Sequence, residues 1–255
     1  MNDAITGVVL QLRLFRRALG NLLLFIVIPF FSAIFLSAAS NRGPSYLTAR
    51  PVLAPAIIGL WMVSVVVAET VATTERLYGT LPLTMAAPAA FGRVVAGRVL
   101  TVTLLGLLTV VEALGVARIG FEAPIHFYHP AAFVLTLLAT ALATAGTATA
   151  LTAAFLAFRS AGRYVNTLGY PFYILAGVIV PVSFLPSWLR PVGDIIYLRW
   201  SAELLYASMS RASISDPLGG LALILLLGGA SYAFGAWLIR SVIDRLRASG
   251  EAGLI

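Results

Sequence analysis

Six stretches of this 255-residue chain are apolar for long enough to cross a bilayer, and that constrains its fold more than any other feature. A hydrocarbon core about 30 Å thick takes about 20 helical residues to span. The stretches are approximately Leu19–Ala39, Val52–Thr73, Val94–Ala117, Ala131–Phe158, Tyr164–Val182 and Leu218–Arg240. In lipid only helices and closed barrels satisfy the backbone, and these runs are continuous rather than alternating, which predicts helices. Composition agrees: 60% of residues are hydrophobic, 11% are charged and the mean hydropathy is +0.97, more apolar surface than a soluble domain can hide. The expected fold is therefore all-α and integral to the membrane, one transmembrane domain over residues 1–255 with six spans. Pro29 predicts a kink in the first span, and Pro55 lies in the opening turns of the second, where proline is tolerated. The N-terminus has no small-residue cleavage site behind a short apolar core, so no removable signal peptide is expected.

All seventeen basic residues are arginine, and they produce a net charge of +7. Such a charge can point to nucleic acid, but these arginines lie scattered at span ends, where they set membrane orientation instead; no nucleic-acid partner is expected. With the N-terminus inside, cytoplasmic segments hold Arg13, Arg16, Arg17, Arg76, Arg93, Arg98, Arg159, Arg163, Arg240, Arg245 and Arg247. Outside segments hold Arg42, Arg50, Arg118, Arg190, Arg199 and Arg211. The excess on one side predicts that both termini are cytoplasmic.

Three non-spanning pieces carry further information. Ile5, Val8, Val9, Leu12, Phe15 and Leu19 recur at helical spacing with Arg13, Arg16 and Arg17 between them, which predicts an amphipathic helix in the cytoplasmic interface. Outside, Leu185, Trp188, Leu189, Val192, Ile195 and Ile196 also fall at helical spacing, followed by apolar Trp200, Leu204 and Leu205. Residues 183–209 are too apolar for a floppy loop and are expected to fold back as short re-entrant helices. The third piece is ERLYGTLPLTMAAP, Glu75 to Pro88, on the cytoplasmic side. Thr80 is a good N-cap, Pro82 fits a first turn, and Pro88 forbids simple continuation. These residues predict a short separate helix over 80–87, apolar yet with no membrane to enter, whose natural destination is a protein partner.

Most chemistry is excluded. The chain has no lysine, and a phosphate-cradling loop of the Gly-x-x-x-x-Gly-Lys type needs one, so any ATP-driven work, with its ATP and Mg, would have to come from another subunit. It has no cysteine, which rules out disulfides and thiolate metal sites. His126 and His129 form H-x-x-H with Glu122 nearby, but nothing completes a metal site and Pro124 and Pro130 mark an irregular loop. No cofactor is expected on this chain. Glu69 lies about one turn from the cytoplasmic end of the second span, and Glu112 near the outer end of the third. A carboxylate at mid-bilayer costs roughly 2.5–3.5 kcal/mol. Glu69 either lines or gates a pathway or snorkels to the surface, whereas for Glu112 the surface or an arginine is the expected partner. Thr136, Thr140 and Thr144 share one face of the fourth span and, with the small residues around them, predict close helix packing; so do Gly219-Gly220 and Gly228-Gly229.

The segment ERLYGTLPLTMAAP resembles the Glu-basic-x-x-Gly-Thr-Leu…Pro signature between the second and third spans of the type-2 ABC transporter permeases. The segment Leu175–Leu205 is similar to that family's Gly-x-x-x-Pro-x-x-x-Leu-Pro pattern through Gly177, Pro181, Leu185 and Pro186, leading through Trp188 into external re-entrant helices. Pro82 stands where family members often carry a glutamate, which leaves Glu75 as the acidic residue of the segment. The resemblance covers essentially the whole chain. It implies a coupling helix through Glu75, Arg76, Gly79, Thr80, Leu81, Leu83 and Met85 that docks on an ABC ATPase. It further implies two ATPase copies, a second permease copy forming a homodimer, and a bacterial cell membrane. The expected function is ATP-driven export of an amphipathic, antibiotic-like small molecule, with a lipid-linked glycan or other polysaccharide as the alternative. Phe31 and Phe35 either line such a path or face lipid. An intramembrane enzyme would need convergent acids or histidines within the spans, and Glu69 and Glu112 sit near opposite faces. A scaffold subunit without a pathway of its own is the remaining reading.

Overall fold

The computed structural model describes residues 3–17, 20–43, 48–77, 91–157 and 169–249, among which there is helix, turn and loop but no strand. Helix α1 covers Asp3–Arg17, α2 Gly20–Ser40, α3 Ala49–Leu77, α4 Phe91–Gly106 and α5 Leu108–Gly115. Next come α6 over Pro130–Ala157 and α7, described over residues 169–175. Two short helices, α8 (Arg190–Asp194) and α9 (Tyr197–Ser208), precede α10, Pro217–Ser249. Four helices among the described residues are long and apolar enough to cross a membrane: Ala49–Thr70 in α3, Arg93–Gly120 through α4 and α5, Pro130–Ala157 and Pro217–Val242.

Helix α3 is the centre of the bundle. In its apolar window 82% of the residues are buried, against 22% for α10, because α3 packs on α2, α4, α5 and α6 while α10 leans mainly on α6. Apolar packing forms two layers. One gathers around Trp61, Tyr173, Tyr197 and Leu198 at the α9 end, the other around Ile28, Val63, Val95, Phe155 and Ile239 toward the opposite end.

Small and hydroxylated residues set how closely the helices approach. The threonine row of α6 turns inward: Thr136, Thr140 and Thr144 are buried, and the hydroxyls of Thr140 and Thr144 each donate to the carbonyl four residues back at 2.7 Å. Across helices, Ser64 and Thr103 hydroxyls lie 3.2 Å apart, and Thr109 donates to the Ala56 carbonyl at 3.1 Å. A Cβ on Gly146 would stand 2.3 Å from the Gly228 carbonyl oxygen, and one on Gly235 2.6 Å from the Ala150 nitrogen, so α6 and α10 meet backbone to backbone.

Several helix limits differ from the sequence expectation. The run at Val94–Ala117 is not one regular helix: Leu107 takes a turn between α4 and α5, where the Thr109 hydroxyl binds the Gly106 carbonyl at 2.7 Å. Its far end loosens into a π-helical turn, Val116–Gly120. Helix α3 runs on to Leu77, so Glu75 and Arg76 belong to its last turn rather than to a loop. The described part of α7 ends at residue 175, short of Val182, because Gly177 adopts a left-handed φ of 71° that turns the chain out of the helix.

The N-terminal helix forms as its periodicity predicts, but it meets the bundle with its small and polar side. Gly7 and Gln11 are buried against α4, and the Arg98 Nε–H donates to Gln11 Oε1 at 3.1 Å. A Cβ on Gly7 would lie 2.2 Å from the Val94 carbonyl oxygen. Ile5, Val9, Leu10 and Leu12 are left exposed on the other side, an apolar face suited to a membrane interface.

Candidate functional site

Between α2, α3 and α7 lies a cavity of about 510 Å³. Phe31 and Phe35, one turn apart on α2, form one wall; Trp61, Met62 and Val65 of α3 form the floor; Tyr170 and Tyr173 of α7 close the other side. Among the described residues no charged side chain lines it. The aromatic wall is braced from behind. Trp61 stacks on Phe172 with ring centroids 4.3 Å apart and lies 6.3 Å from Tyr197, whose hydroxyl sits 2.8 Å from that of Thr144. Such a site offers offset stacking and apolar contact, with tyrosine hydroxyls as its few polar points.

One end of the cavity is closed by the chain after α7. Arg50, at the start of α3, donates from one terminal amino group to the Gly177 carbonyl and, at 3.4 Å, to that of Val178. Its guanidinium lies 4.5 Å from the centre of the Tyr206 ring, and the Tyr206 hydroxyl donates to the same Val178 carbonyl at 2.9 Å. Two carbonyls freed where α7 stops thus gain donors, and Ile179, which lines the cavity, is held just beyond them. Farther on, Arg190 donates to the Ser183 and Leu185 carbonyls, at 3.0 and 3.1 Å. Arg199 pairs with Asp194, and the Trp200 Nε1–H donates to the Asp194 carbonyl at 3.0 Å, stapling α8 to α9.

The sequence candidates divide as follows. Phe31 and Phe35 come together in the cavity. Glu69 is half-buried about one turn past Val65 and Val66 and does not line the cavity. Glu112 is also half-buried, and its Oε2 has no hydrogen-bond partner among the described residues. Gly177 turns the chain, Pro181 begins a 3₁₀ turn over Val182–Phe184, and Leu185 is buried, whereas Pro186 and Trp188 are exposed. Gly79, Thr80, Leu81, Leu83 and Met85 lie outside the described residues, as does the whole of the helix expected over 80–87. Among the described residues no three His, Asp or Glu side chains gather as a metal site; His126 stacks on Tyr128, and His129 Nε2 lies 3.1 Å from the Ala212 carbonyl. Sequence reasoning missed Trp61, Tyr170, Tyr173 and the carbonyl-binding role of Arg50.

An all-helical chain with several helices able to cross a bilayer, and an aromatic cavity opening between them, is a multi-pass membrane protein. Residues 8–210 match the ABC-2 type transporter family, and the chain belongs to it. It is a permease of an ABC transporter, a membrane component of systems that work with an ABC ATPase. No curated protein matches the chain.

Proposed function

We propose that this permease is the membrane subunit of an ATP-driven exporter that moves an amphipathic, drug-like small molecule out of a bacterial cell. The observation that carries the substrate class is the cavity lining: Phe31, Phe35, Trp61, Tyr170 and Tyr173, with no charged side chain among the described residues. Such a wall favours an aromatic or aliphatic cargo over a polysaccharide, whose hydroxyls would be left without partners. In this reading two permease copies form a homodimer, and each engages an ATPase subunit that binds ATP and Mg. The chain spans six times with both termini in the cytoplasm, residues 80–87 form the coupling helix, and residues 183–209 form a re-entrant outer cap. Glu69, a turn beyond the cavity, gates the cytoplasmic approach.

The cavity is tested with the permease and its ATPase together in proteoliposomes, using a fluorescent amphipathic cation as cargo. Phe35→Ala and Trp61→Ala each remove an aromatic wall and are expected to lower cargo-stimulated ATP hydrolysis about tenfold, the loss of roughly 1.4 kcal/mol. Basal hydrolysis is expected to persist. Wild-type stimulation in both variants would remove the cavity from the transport path.

Topology has its own test, helped by the absence of native cysteine. In intact cells an impermeant thiol reagent is expected to label Ser187→Cys and to spare Thr84→Cys until the membrane is opened. The reverse pattern would invert the chain in the membrane and end the exporter arrangement.

A further inference from the structure

A second hollow, about 610 Å³, opens on the other side of Arg50 and plays no part in the cavity above. Its walls come from three places in the chain: the start of α3, the loop from Pro124 to Tyr128, and the end of α9 continuing to Arg211. Arg50, Arg211 and His126 line it, and among the described residues no carboxylate does. Glu203 lines the adjoining hollow beyond Arg50, not this one.

Both arginines are held with donors to spare. The hydrogen bonds of Arg50 run from one terminal amino group to backbone carbonyls, and its face rests on Tyr206. Its Nε and second amino group have no acceptor among the described residues. Arg211 donates from Nε to the Tyr128 hydroxyl at 2.9 Å, with its guanidinium 5.6 Å from the same ring, and both terminal amino groups are left over. The His126 ring stacks on Tyr128 at 5.9 Å. The loop itself is pinned, since the His129 N–H donates to the Ser208 carbonyl at 3.0 Å. Cations oriented by aromatic rings, facing one hollow without a counter-charge, make a preformed anion site. Two guanidinium forks and an imidazole can donate to more oxygens than a carboxylate carries, which matches a phosphate. Val52, Ile125 and Met209 add an apolar wall, and the hydroxyls of Thr48 and Ser210 add polar points for the alcohol part of an ester.

We propose that this hollow binds the phosphate of an anionic phosphate ester, supplied either by a lipid headgroup of the adjoining leaflet or by a soluble ester. The proposal does not depend on the exporter's cargo. It is tested on the purified full-length permease in neutral detergent, titrated with short-chain phosphatidylglycerol or phosphatidylcholine, bound lipid being counted by native mass spectrometry. The wild type is expected to retain phosphatidylglycerol about tenfold more tightly than phosphatidylcholine. An Arg211→Gln, His126→Gln double variant changes only exposed side chains and is expected to lose most of that preference, while Arg42→Gln, an exposed arginine outside the hollow, keeps it. Competition by glycerol 3-phosphate identifies a soluble ester as ligand, and retained phosphatidylglycerol despite that competitor identifies the lipid. Equal retention of the two lipids by the wild type, an undiminished preference in the double variant, or an equal loss in Arg42→Gln overturns the site.

Discussion

A permease carrying Leu83→Asp and Met85→Asp is expected to insert in the membrane at wild-type level, yet to lose its ATPase and all transport. The chain holds no lysine and so cannot build a phosphate-cradling loop of the usual kind. In the proposed reading work reaches it from the ATPase, through residues 78–90, which lie in sequence between α3 and α4. In that segment the sequence expectation is a short helix capped by Thr80 and opened by Pro82, and we propose that Leu83 and Met85 are its large apolar side chains. A groove on the ATPase is the proposed destination. Burying one such side chain is worth about 1.5–3 kcal/mol, which changes docking roughly tenfold to a hundredfold, and a carboxylate there adds the cost of a desolvated charge. In this proposal Glu75 and Arg76 sit at the rim of that groove, where charge contributes to specificity more than to affinity. The measurement is copurification of the ATPase with the tagged permease, followed by ATP hydrolysis in the reconstituted pair. Full ATPase recovery with normal export by the double variant would mean that the segment does not couple the two subunits.

The helical character of the chain was legible because its long apolar runs leave the backbone no other partner in lipid. The fourth run was expected at Ala131–Phe158, and α6 covers Pro130–Ala157. What lay hidden was which face of each helix points where. A run apolar on all sides has no periodicity, so nothing in the second run distinguishes Trp61, in the cavity wall, from Leu60, which packs on Gly106. Arg50 read as one more charge at a span end, since its acceptors, Gly177 and Val178, lie far along the chain and are exposed only by a helix ending there. Gly177 and Pro181 were found through a family pattern, and the structure supplies the physical reason for the glycine, a left-handed φ. For α1 the apolar spacing revealed a helix but not its contact face, because Gly7 and Gln11 are the residues that let it approach α4.

The glycine pair Gly228-Gly229 shows the same limit and yields the second large prediction. Both glycines read alike in the sequence as aids to close packing, but only one is at the contact. A Cβ on Gly228 would lie 2.4 Å from the Ala143 Cα and 2.5 Å from its Cβ, while a Cβ on Gly229 meets nothing within 4 Å. The Gly228 carbonyl is also the group that Gly146 approaches, so a methyl group at either position pushes against backbone and the Cβ atoms fixed to it. Backbone cannot rotate away as a side chain can, and α6 supplies most of the contact that α10 makes, with α9 the main remainder. Overpacking of this kind typically costs about 1–3 kcal/mol even where side chains can adjust, so Gly228→Ala is expected near or beyond the upper end and Gly228→Leu to prevent folding. Gly229→Ala is expected to leave stability unchanged or slightly raised, since alanine is the better helix former and the space is open. Thermal midpoints of the purified variants in detergent, with recovery of monodisperse protein, distinguish the two. Equal midpoints for Gly228→Ala and Gly229→Ala would show that α6 and α10 do not meet at this crossing.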